Sequence, residues 1–161
     1  MSTSRYLRGI LFPLALLAIF ALPCQAGTAT MAVTSMNGCV MNPDRGFIGI
    51  TILNLSIGGD LIQSGTTTRA TLNDIKVIKS LDECTVRLFD VYTKATRLKE
   101  VIVRIYDNAK TETIRITLTD VIVTGIDYGP AQEGISFSCV RLEIRHLPSG
   151  TIAHYDAKGK V

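Results

Sequence analysis

The chain has 161 residues, an ordinary length for one domain and enough to bury a sizeable core. Its formal charge is only +3 and no basic patch stands out along it, which argues against a nucleic-acid partner. No repeat or low-complexity segment divides it.

The first stretch reads as a secretory signal. Arg5 and Arg8 supply the positive start, Ile10 to Leu22 the apolar run, and Pro23-Cys24-Gln25-Ala26 a small-residue cleavage region before Gly27. The run of about 13 residues is too short to span a membrane, which takes roughly 20. The expected division is a signal peptide over 1–26 and one domain over 27–161, secreted or periplasmic, with no stable membrane insertion after cleavage. Losing Arg5 and Arg8 lowers the net charge from +3 to +1.

Met31 to Met36 reads as a short strand, and Asn42-Pro43-Asp44-Arg45-Gly46 as a turn. Phe47 to Ile57 is a long strand candidate with apolar residues on both faces, more than one small barrel buries. Its Ile48, Ile50 and Ile52 face is the candidate subunit contact. Gly58-Gly59-Asp60 breaks the strand, Ser64 to Thr68 reads as polar loop, and Ala70 to Lys79 returns to strand. Ser80 and Glu83 have capping-box spacing, and Leu81, Cys84, Leu88 and Val91 recur at helical spacing, so a helix is expected from Ser80, ending near Tyr92 to Ala95.

Val101 to Tyr106 and Thr113 to Asp127 read as strands around a turn at Asp107-Asn108-Ala109-Lys110. Ile114, Ile116 and Leu118 alternate on one face, but Val121 and Val123 have the opposite parity, so the phase changes near Asp120. Asp120 itself, set between apolar residues, is expected to be a buried polar group with a partner. Ile135 to Leu147 shows a similar flip between Cys139 and Leu142, the signature of a bulge or a bend at a barrel corner. Strands around a single mid-chain helix predict a mainly β fold, a small β-barrel or sandwich.

Three cysteines follow the leader: Cys39, Cys84 and Cys139. In an oxidising compartment one pair closes, and three pairings are open. Cys84 with Cys139 is the first choice, because both sit on predicted apolar faces. None has metal-site spacing, and His146 and His154 have no cysteine motif near them. No nucleophile elbow, phosphate loop or acid–base pair is present, so no catalytic, cofactor-binding or metal residue is expected, and the chain reads as no enzyme.

The element order resembles the haemolysin-coregulated protein (Hcp) family, the tube subunits of type VI secretion systems. The resemblance rests on Ala70-Thr71-Leu72-Asn73-Asp74-Ile75-Lys76-Val77-Ile78-Lys79 before the helix and on Ile114 to Val123 after it. It also rests on Glu133-Gly134-Ile135-Ser136-Phe137-Ser138-Cys139 with Val140 to Arg145, and on the tail from Tyr155 to Lys160. It covers about residues 31–160. It implies a small β-barrel with one flanking α-helix, closing into a homo-hexameric ring. In that family rings stack into a tube, which is both cargo carrier and secreted product, so the implied partners are copies of the chain and secreted effector cargo. A monomeric periplasmic binding or adaptor domain on the same fold is the alternative.

The leader carries a first prediction. N-terminal sequencing of exported protein should begin at Gly27. An intact Met1 on protein held in the cytosol would remove the case for an oxidising compartment.

Overall fold

The computed structural model describes residues 28–34, 36, 39, 50–64 and 67–157, with backbone alone for 61–64 and 67–70. Nine strands and one helix are set out among these residues: β1 (Ala29–Val33), β2 (Ile50–Ser56), β3 (Gly59–Ser64), β4 (Thr67–Leu72), β5 (Ile75–Ser80), α1 (Glu83–Thr93), β6 (Leu98–Tyr106), β7 (Glu112–Tyr128), β8 (Gln132–His146) and β9 (Thr151–Asp156).

The main sheet runs β5-β2-β1-β6-β7-β8-β9, and β5 also pairs with β8. That pairing closes six strands into an antiparallel barrel and leaves β9 outside the closure. Closure removes the edges that an open sheet would expose. β7 and β8 are much longer than β5. Ser80 lies opposite Gln132 and Ile75 opposite Phe137, where the β5–β8 ladder ends. Beyond it β8 continues and pairs with β9, from Arg141 opposite Asp156 to His146 opposite Thr151.

The alternation seen in the sequence sets the core. Ile116 and Leu118 point inward on β7, then Val121 and Val123 do, and the change of parity falls at Asp120, whose φ is 61°. Aspartate tolerates this left-handed conformation better than a branched residue does. On β8 the inward set passes from Ile135 and Phe137 to Leu142 at the same level, with Leu118 opposite Leu142 and Val121 opposite Cys139. The two long strands thus exchange faces together, and one continuous core results.

β2 behaves similarly on a smaller scale. Ile50 and Ile52 are buried, the register against β5 shifts between Ile52 and Asn54, and Leu55 is the next residue packed toward the core. This corrects the expected subunit contact: Ile50 and Ile52 belong to the barrel interior, alternation leaves Leu53 outward, 56 % exposed, and the shift leaves Asn54 exposed as well and brings Leu55 in. Ile48 lies outside the described residues.

The stretch expected as polar loop is a hairpin. β3 and β4 pair from Gly59 opposite Leu72 to Ser64 opposite Thr67 and form their own two-stranded sheet. A Cβ at position 59 would stand 2.6 Å from the Thr71 carbonyl oxygen, so no residue larger than Gly59 fits there without moving backbone.

Helix α1 begins later than Ser80 and Glu83 suggested. Ser80 is the last ladder residue of β5, and Asp82 is the N-cap. The Asp82 carboxylate accepts from the Cys84 N–H at 2.9 Å, and Thr85 Oγ1 accepts from the Asp82 N–H at 3.0 Å. Cys84 and Leu88 are the buried residues of α1, Val91 packs against the core, and Leu81 is exposed ahead of the helix.

The disulfide joins Cys39 to Cys84, which corrects the expected Cys84–Cys139 pair. Cys39 and Cys84 are both buried, and their Cα atoms stand 5.4 Å apart, within disulfide range. Cys139 is committed to β8 opposite Val121 and remains a half-buried thiol. Burial pushes that thiol up to about 11.

Two losses of stability follow. Leu88→Ala should cost about 2–5 kcal/mol, because it opens a cavity in the core. Reduction of Cys39–Cys84, which closes a sequence separation of 45, should cost roughly 2–4 kcal/mol. Urea titrations with and without reductant measure both, and an unchanged midpoint for either would contradict the packing described.

Candidate functional site

A buried charge cluster fixes the helix end of the barrel. Lys79 ends the inward set Ile75, Val77, Lys79 of β5, and its side chain is fully buried. Its Nζ donates to Asp82 Oδ1 at 2.7 Å, the Ser80 carbonyl at 2.9 Å and Thr85 Oγ1 at 3.2 Å, and forms an ion pair with Glu133 Oε1 at 2.6 Å. Thr85 Oγ1 in turn donates to Glu133 Oε1 at 2.7 Å. Lys79 and Glu133 face each other across the β5–β8 seam, so one ammonium joins the barrel closure to the cap of α1. Glu133 Oε2 is buried without a hydrogen-bond partner. The role of this cluster is structural: it is sealed from solvent at Lys79 and Glu133 and offers no entry to a substrate.

A second charged feature lies on the outward face of the long strands. Arg104, Arg115 and Arg145 stand directly opposite one another across β6, β7 and β8. Like charges so placed repel. Glu112 bonds Arg115 through two contacts of 2.7 and 3.0 Å and approaches Arg104 at 3.6 Å, while Glu143 pairs with Arg145 at 3.0 Å. The Glu112 hydrogen bonds hold the Arg115 guanidinium still more firmly protonated than usual. Asp120, expected as a buried polar residue with a partner, has its partner in Arg97 at 3.0 Å but is a third exposed.

Nucleophilic chemistry gains no support. His146 Nδ1 lies 2.7 Å from Ser149 Oγ, but Ser149 also bonds Thr151 at 2.8 Å, and the three brace the exposed turn between β8 and β9. His154 approaches Glu143 at 3.7 Å on the surface. Among the described residues no three His, Cys, Asp or Glu could hold a metal ion, and no helix is long and apolar enough to cross a membrane.

What the fold displays is contact surface. At the helix end, Val86 is 74 % exposed, and Phe89 is half exposed with its ring centroid 6.3 Å from that of Tyr128. At the opposite end, where β5 begins, a cleft of about 350 Å³ opens between the hairpin base and the β8–β9 extension. Ile57, Leu72, Leu142, Ile144 and Tyr155 give it apolar walls, and Asp60 lies on its lining. Leu53 stands exposed on the outer face of β2. Sequence reasoning missed the cleft and the helix-end surface. The first depends on a hairpin read as loop, and the second on Val86 and Phe89, which lie off the core stripe.

Comparisons agree with this architecture. The family model described as "Type VI secretion system effector, Hcp" matches residues 50–146. Hcp1 from Salmonella typhimurium is similar in structure, with a TM-score of 0.67 at 16% identity, over 84% of this chain and 97% of that one. A mutant form of Hcp1 from E. coli EAEC 042 gives 0.70 at 13% identity over 82% and 99%. A type VI secretion system effector from Yersinia pestis gives 0.64 at 22% identity over 80% and 98%. No curated protein matches the chain by sequence.

The buried cluster yields a test. Lys79→Met should destabilise the fold by about 3–5 kcal/mol, because Glu133 then stays buried without its cation. Adding Glu133→Leu should recover most of that loss. Equal stability of the single and double variants in denaturant titrations would show that the charges do not act as a pair.

Proposed function

The chain belongs to the Hcp family of type VI secretion, and from that premise we propose that it is an exported ring-building subunit, made with a signal peptide over 1–26, that assembles into hexamers able to stack and carry secreted cargo. Members of the family are non-catalytic structural proteins, and the chain is one of them rather than an enzyme. The observation that carries the proposal is the family match over residues 50–146, which spans β2 to β8 and so all but one strand of the closed barrel.

The physical features support assembly. Among the described residues the sheet ends at β9, which pairs there with β8 alone, and such a strand edge is a template for another chain. The exposed apolar residues lie on different parts of the surface, which suits a heterologous contact that closes by rotation into a ring. A net charge near +1 after leader removal offers little electrostatic resistance to association. The Cys39–Cys84 bridge suits an oxidising compartment, in keeping with a secreted or periplasmic location.

Electron micrographs of purified residues 27–161 should show rings of sixfold symmetry. Monomeric particles at high micromolar concentration would favour the adaptor reading instead. Two β2 variants separate core from contact. Ile50→Lys should unfold the chain, because it places a charge in the barrel interior. Leu53→Lys should keep the melting curve and weaken assembly; normal rings from Leu53→Lys would remove β2 from the interface.

A further inference from the structure

We infer that the helix end of one copy seats in the hairpin-base cleft of the next, with Val86 and Phe89 entering the apolar cleft and Arg87 pairing with Asp60 of the neighbouring copy. The inference rests on the ring reading and assigns the residues that make its contact.

The two surfaces lie at opposite ends of the same strand. β5 starts at Ile75, beside the hairpin, and ends at Ser80, three residues before α1. Its six residues separate the ends by roughly 17–20 Å. Among the described residues the two surfaces stand too far apart to meet within one chain, so a contact between them takes a second copy.

Their chemistry is complementary. The cleft has walls of Ile57, Leu72, Leu142 and Ile144 and room of about 350 Å³. The helix end projects Val86 and Phe89, which the barrel leaves exposed although both are apolar. Charge matches in the same sense. Arg87 is exposed between Val86 and Leu88 and has no ion pair among the described residues. Asp60 is exposed on the cleft lining and has none either. Contact of an end with a different end is heterologous, the type that propagates from copy to copy. The position of α1 is fixed by the Lys79 cluster and by the disulfide at Cys84, so the projecting residues are presented without a large ordering cost.

Cross-linking tests the seat. In a Cys139→Ser background, one preparation carries Arg87→Cys and a second Asp60→Cys. Mixed and oxidised, they should form covalent heterodimers, while either preparation alone should not. Arg87→Asp and Asp60→Arg should each raise the concentration needed for assembly by about tenfold, and the double reversal should restore it. Rings that form normally without the mixed cross-link would overturn the seat and leave the ring reading intact. A wild-type chain that stays monomeric at high micromolar concentration would overturn both.

Discussion

The ammonium of Lys79 is fully enclosed, and a charge in that position must be matched inside the protein. Glu133 and Asp82 match it from two different elements, β8 and the cap of α1. Because Lys79 and Glu133 are also a registered pair of the β5–β8 ladder, the same contact holds the seam that closes the barrel. One position therefore couples closure of the sheet to placement of the helix. The disulfide adds a second hold close by, tying Cys84 to Cys39 in the segment after β1. A buried ion pair is not in itself a gain over apolar packing. Its contacts tie one seam register to one helix start.

Those two holds decide what the surface presents. With Cys84 and Leu88 committed to the core, the helix turns Val86 and Phe89 to solvent. At the other end β5 stops while β7 and β8 run on, and the hairpin base stands against that extension with an apolar cleft between them. The two surfaces lie at the two ends of one barrel strand, where the proposed copy-to-copy contact would form.

Much of the fold was legible in the sequence because alternation reports burial directly. Ile114 to Leu118 against Val121 and Val123 located the face exchange at Asp120, and the structure places a positive φ there. The helix was legible through Cys84, Leu88 and Val91. Its start was not, since Ser80–Glu83 and Asp82–Thr85 both have capping-box spacing, and in the structure Ser80 is taken up by the β5–β8 ladder while Asp82 caps the helix and accepts from the Lys79 ammonium. Lysine is rarely buried, so nothing in β5 marked Lys79 as interior. The hairpin escaped because, among the described residues, β3 and β4 form a sheet of their own, and Ser64 to Thr68 carries no apolar alternation in the sequence. The disulfide escaped for a different reason. Apolar surroundings are common to all three cysteines, and the choice between them rests on where the segment after β1 meets α1, a long-range fact. On β2, Ile50 and Ile52 do share one face, but the register shift that brings Leu55 to that face is invisible without the partner strand.

Native mass spectrometry of residues 27–161, with the disulfide intact and across a concentration series, tests the assembly claim most directly. The account predicts one dominant closed species of six subunit masses, without intermediate ladders. A spectrum holding only the single subunit mass at every concentration would contradict it.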